Sequence, residues 1–135
     1  MATGTAGTAA RDLQLQAVHY YRKAVAYNTT GIATGIKFGT LPAGAEIIST
    51  VVKVKVVFNA ATTNVLTVGT TALGVDIVGT ADVNESAVAS TTVLTGNALT
   101  LAADTDIFVA YTQTGTPATT GSAIIIVTYV LNNDA

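Results

Sequence analysis

The stretch Ser49 to Asn59, Ser-Thr-Val-Val-Lys-Val-Lys-Val-Val-Phe-Asn, constrains the fold more than any other part of the chain. Val52, Val54, Val56 and Phe58 share one side of a period-two element, and Lys53 and Lys55 share the other with Val51 and Val57. β-Branched residues crowd a helix but pack well on a pleated surface, so the run predicts a strand with one dry face and one mixed face. The remaining chain has to supply strands that pair with it or pack across from it.

Other segments carry the same signal. Ala17 to Tyr27 holds three Tyr and two Val and reads as a strand, with Val18, Tyr20, Arg22, Ala24 and Ala26 on one side and His19, Tyr21, Lys23, Val25 and Tyr27 on the other. A helix would instead group Ala17, Val18, Tyr21, Ala24 and Val25 on one stripe. Further strands are expected at Ile32–Phe38, Ala45–Phe58, Val65–Gly69, Val75–Val78, Thr91–Thr95, Leu99–Leu101, Ile107–Thr112 and Ala123–Leu131. Leu41-Pro42-Ala43-Gly44 reads as a type I turn, and Gly96-Asn97 as a hairpin turn. Gln113 to Gly121 is long and polar, and is expected to project from the body. The last strand is apolar on both sides, which places it centrally in its sheet or beneath another subunit. Short strands at roughly ten-residue spacing imply an all-β fold, an antiparallel β-sandwich or jelly-roll of about eight strands.

A chain of 135 residues is the size of one domain and can bury a core without staples, and it has no Cys to make them. Residues 1–12 are an Ala/Thr/Gly-rich arm with little to bury, expected to be flexible; residues 13–135 are expected to form the single β-sandwich domain. The start has neither the basic nor the apolar region of a secretory signal, and no stretch is long and apolar enough to span a membrane.

Only 10% of the residues are charged, little for a monomer that keeps all its surface in water. Copies of the chain, in a homo-oligomer, or a partner are therefore expected to cover part of it. The charges are also segregated. Residues 1–55 hold six bases (Arg11, Arg22, Lys23, Lys37, Lys53, Lys55) and two acids (Asp12, Glu46), a net of +4. Residues 56–135 hold six acids (Asp76, Asp82, Glu85, Asp104, Asp106, Asp134) and no base, a net of −6. Chance in a charge-poor chain is the plain reading; the sharper one is two faces of opposite sign that meet between copies or against a larger assembly. An overall charge of −2 argues against nucleic acid as a partner.

Groups that do chemistry are scarce. His19 is the sole histidine and sits among tyrosines, where a packed, hydrogen-bonded imidazole is the ordinary use. One imidazole and no thiol exclude a His- or Cys-built metal site, no Ser lies in a nucleophile elbow, and no glycine loop cradles phosphate, so neither an enzyme nor a cofactor is expected. Asp104 and Asp106, about 7 Å apart if both point to one side of a strand, are candidates for a calcium site. Against that stands a solvated turn in which Asp104 bonds to nearby backbone. Tyr20, Tyr21 and Tyr27 are the aromatic cluster from which a sugar platform could be built, and core or interface packing is the plainer use of their rings.

The runs Phe38-Gly39-Thr40-Leu41-Pro42-Ala43-Gly44-Ala45-Glu46-Ile47-Ile48, Val52 to Asn59, Leu66-Thr67-Val68-Gly69-Thr70 and Ala103-Asp104-Thr105-Asp106-Ile107-Phe108-Val109 resemble small virion proteins of tailed bacteriophages. So does the Gly/Thr/Ala-rich loop before Ile124 to Leu131. The likeness spans about residues 32–131 and is to the decoration or cement kind. It implies an oligomer on the outer surface of the capsid that binds the major capsid protein and stabilises the shell, with no active site to carry over. A tail or fibre subunit is the alternative within that class, and a host-surface or glycan-binding module the alternative outside it. Arg22, Lys23, Lys53, Lys55, Tyr20 and Tyr21 are the interface candidates.

Overall fold

The computed structural model describes residues 18–132. Seven strands run in chain order: β1 (Val18–Ala26), β2 (Ile36–Leu41), β3 (Glu46–Val56), β4 (Thr63–Gly69), β5 (Ala89–Val93), β6 (Thr105–Thr114) and β7 (Ser122–Val130). They form a four-stranded sheet ordered β1-β7-β3-β5 and a three-stranded sheet ordered β2-β6-β4. Every pairing is antiparallel. Each named strand is followed in the chain by one in the opposite sheet. An isolated bridge between Val68 and Val78 sets one more segment beside β4. Counted as a reduced strand, it completes a jelly roll of eight.

The period-two pattern of β3 explains the core. Ile47, Thr50, Val52 and Val54 point inward and are buried, facing Leu66, Val68, Ile107, Val109 and Tyr111 of the other sheet. Ile125 and Val127 of β7 lie beside them. Burying a Val or Ile side chain stabilises by roughly 1.5–3 kcal/mol, so these alternating residues hold the two layers together. Val56 was expected inward but is 47% exposed. A bulge between Val54 and Val56 shifts the register by one and turns Val56 outward, while Phe58 returns to the core from the following loop.

Several turns depart from expectation. The turn near Pro42 is closed by the Ala45 amide donating to the Pro42 carbonyl, one residue later than expected. Gly44 at its third position has φ of 79°, which type I forbids and type II requires. Ile32 belongs to a turn, held by its amide on the Thr29 carbonyl, and β2 begins only at Ile36. Val75–Val78 contributes one bridge and no strand. Gly96-Asn97 forms no hairpin: Thr95–Ala98 is a short 3-10 turn, and Leu99–Leu101 is not a strand. Asn97 donates its side-chain amide to the Ile48 carbonyl at 2.6 Å, tying this turn to β3.

The Gln113–Gly121 segment does not project freely. Asn59 accepts the amides of Thr119 and Thr120 on its Oδ1 and donates Nδ2 to Thr119, while the Ala61 amide reaches the Thr116 carbonyl. One asparagine thus satisfies three groups of the loop and draws it onto the 57–62 connection, burying Ala118. The N-terminal arm expected at 1–12 lies outside the described residues.

Candidate interaction surface

The four-stranded sheet has an outer face whose composition follows from register. Its rows read Val18–Val130–Glu46, Tyr20–Thr128–Ser49, Arg22–Ile126–Val51–Thr92, Ala24–Ile124–Lys53–Ser90 and Ala26–Ser122–Val56. Ile124, Ile126 and Val130 form a central apolar stripe along β7, each only partly buried. Ile48 adds an exposed side chain at a bulge in β3. β7 is therefore an inner strand of its sheet, and its second apolar side faces outward rather than into a core.

The interface candidates divide between faces. Tyr20 is 66% exposed on the outer face, with Arg22 in the next row and Lys53 across the stripe. Lys55 is exposed at the bulge that ends β3. Tyr21 and Lys23 point to the inner side. There the Tyr21 hydroxyl donates to the Thr40 carbonyl at 2.6 Å, and its ring stacks on Tyr129 at 5.5 Å and meets Phe38 edge-on. Tyr21 thereby closes the β1–β2 side of the sandwich, against Gly39, where even a Cβ would collide with its ring. Tyr20 and Tyr21 cannot form one platform, since they lie on opposite sides of β1. His19 continues the inner aromatic row by stacking on Tyr129 at 5.6 Å, with no hydrogen-bond partner for its buried Nε2 among the described residues.

Electrostatics separates the bases from the acids. Lys37 and Asp106, 3.2 Å apart, are the one ion pair among the described residues. Arg22, Lys23, Lys53 and Lys55 make none. The described acids other than Glu46, by contrast, are engaged within the fold. Asp76 accepts the amide and hydroxyl of Thr70, Asp82 the Gly79 amide, and Asp104 the Ala43 amide. Asp106 accepts the Thr40 hydroxyl at 2.7 Å, and this bond first, with Lys37 second, holds its carboxyl below the usual value. Asp104 and Asp106 thus hold adjoining parts of one segment, Asp106 the strand β2 and Asp104 the turn that follows it. No group of three or more His, Cys, Asp or Glu that could hold a metal occurs among the described residues.

Glu85, which the sequence shows only as one of the acids of residues 56–135, is a structural element. Its carboxylate accepts the Leu66 amide at 2.7 Å and its carbonyl accepts the Phe58 amide, so it occupies part of the free edge of β4. Burial pushes its pKa up, and the Leu66 hydrogen bond pulls partly against that.

No family model matches the chain, and no curated protein does. Three solved structures share its fold. A chain of the cyanophage Pam1 capsid asymmetric unit is 24% identical, matched over 96% of this chain and 94% of that one with a TM-score of 0.57. A chain of the acidic stable capsid structure of Helicobacter pylori bacteriophage KHP30 is 17% identical over 86% and 89%, with a TM-score of 0.58. A chain of the capsid of Ralstonia phage GP4 is 18% identical over 99% and 93%, with a TM-score of 0.63. In fold this chain is similar, almost from end to end, to chains from three bacteriophage capsid structures.

Proposed function

We propose that the protein is a non-enzymatic structural component of a bacteriophage virion, a decoration or cement protein that lies on the outer surface of the head and binds the major capsid protein. The observation that carries this reading is the near end-to-end match in both directions to chains from capsid structures. Those chains are about this size, so the likeness is of whole chain to whole chain rather than to a module of a larger subunit. The half-covered apolar stripe and the unpaired bases on one sheet face supply the surface such a role needs. Stabilisation of a shell by this chain comes from many weak contacts repeated by symmetry, without covalent chemistry.

Reconstruction of the particle at side-chain resolution tests it. Density for this fold on the head exterior is expected, together with heads that lose heat and low-salt resistance when the gene is deleted. Density in the tail or fibre would move the protein to that structure. The glycan-binding alternative loses its paired aromatic platform, because Tyr21 is packed inside against Tyr129 and Tyr20 stands alone.

A further inference from the structure

We infer that copies of this chain join head to tail, the outer face of the four-stranded sheet of one copy receiving the Thr70–Asp82 loop of the next. This goes beyond the virion reading and does not depend on it.

The face is apolar at its centre and basic around it. Ile124 and Ile126 of β7 lie between Arg22 on β1 and Val51 and Lys53 on β3, with Val130 farther along β7 and Lys55 at the end of β3; Glu46 at the other end is the acid on these rows. The loop has the opposite character. Leu73 and Val75 are 57% and 47% exposed and stand beside Asp76, with Asp82 exposed a short way on. No base follows Lys55 anywhere in the chain, so nothing in this loop offsets its two acids.

The loop is also held in shape before it meets anything. Asp76 fixes Thr70 through two hydrogen bonds, Asp82 fixes Gly79, and Ile77 and Val78 are pinned to the Val68 backbone. Gly35 lies so close to the Ala72 carbonyl that no side chain would fit between them. A preformed knob loses little conformational entropy on docking. Asp76 and Asp82 hold the loop by accepting hydrogen bonds and carry formal charges opposite to those of Arg22 and Lys53, so the two surfaces are complementary in sign across an interface.

One copy cannot satisfy itself. The loop is anchored to β4 in the three-stranded sheet, whereas the basic face looks outward from the other layer. A face-to-face two-fold across the strands would set Arg22, in the middle row, against its own counterpart and leave the loop unused. A head-to-tail contact pairs opposite charges and buries both apolar patches, and it closes into a ring when its rotation allows.

Light scattering on the full chain tests this with two variants. Arg22→Glu with Lys53→Glu spoils the face; Leu73→Asp with Val75→Asp spoils the loop. All four positions are solvent-accessible, so the strand circular dichroism should persist in both. The native chain is expected to be oligomeric at micromolar concentration and to weaken about tenfold or more in high salt. Each variant alone should be monomeric. An equimolar mixture should form dimers, because the intact loop of one docks on the intact face of the other. A native chain that is monomeric, either variant still fully assembled, or a mixture that stays monomeric would overturn the inference. Should a variant misfold, Arg22→Gln with Lys53→Gln and Leu73→Ser with Val75→Ser repeat the test with smaller changes. Binding of monomeric variants to heads is read separately: retention on the head would leave the virion role standing without the ring.

Discussion

On the outer side of the three-stranded sheet, Thr67 and Ala110 pair across β4 and β6 and are only 6% and 1% exposed. At the matching place on the four-stranded sheet, Val51 and Ile126 pair across β3 and β7 and are left half-covered, though more apolar. The chain's own loops favour the three-stranded side: the Gly31–Gly35 turn meets the Thr70–Gly74 loop there, and the Ile32 carbonyl accepts the Tyr111 amide of β6. Edges follow the same division. The free edge of β4 is occupied by Val78 and Glu85, whereas β5 pairs only with β3. Among the described residues the more polar of the two faces is the better covered, and the more apolar one is left partly exposed, the pattern expected of a surface that meets another molecule.

The sharpest way to break this comparison is to put the same acid on both outer faces. Ala110→Asp would bury a carboxylate with no partner, at a cost of about 3 kcal/mol or more in urea unfolding. Ala24→Asp, exposed on the four-stranded face, should stay within about 0.5 kcal/mol. Equal losses would mean that the two faces are equally covered.

A smaller effect is expected at the β4 edge. Because the folded-state pKa of Glu85 lies above its unfolded value, the native state holds this proton more tightly. Its contribution is therefore most favourable at low pH and falls as pH rises through the folded pKa. Glu85→Gln keeps an oxygen for the Leu66 amide and removes the charge, so it should raise stability at neutral pH by up to about 1 kcal/mol and flatten the profile above pH 4.5. Denaturation of both forms across pH checks the sign; a variant that loses stability at neutral pH would show the carboxylate itself to be favourable there.

The smallest effect belongs to Asp106. Its folded pKa is depressed, so its contribution is present above the unfolded value and is lost as pH falls through the folded one. Thr40→Val and Lys37→Met should each move its titration midpoint upward, as carbon-detected NMR of the carboxyl can read, because each removes a partner that lowers it. A midpoint unmoved by Thr40→Val would show that the hydroxyl bond does not hold the carboxyl down.

Much of the fold was legible because period two survives in the residues themselves. β1, β4, β6 and β7 begin and end within a few residues of the expected strands, and alternation already separated Tyr20 and Arg22 from Tyr21 and Lys23. Local turn chemistry was less informative. Gly96-Asn97 suits a hairpin, yet the Asn97 side chain ties this segment to the Ile48 carbonyl of β3 as a 3-10 turn, and the free side of β5 receives no strand among the described residues. The Leu73–Val75 patch and the role of Glu85 were not legible at all. Both depend on which segments lie beside the β4 edge, and no pattern within either loop encodes that neighbour.

The sequence by itself determined the β class, the position of most strands, the two-sided apolar character of β7 and the confinement of every base to residues 1–55. Those are properties of alternation and composition, which local sterics and burial translate directly into strands with faces. Tertiary structure alone decided which face points outward, because parity divides a strand into two sides without naming the one that meets the other sheet. It likewise decided that successive strands change sheets, that Asp76, Asp82 and Asp104 hold loops within the fold, and that Arg22, Lys53 and Lys55 make no ion pair with a described residue around a partly covered apolar stripe. Each of these depends on contacts between residues far apart in the chain, where the energy of burial and pairing, rather than local preference, selects the arrangement.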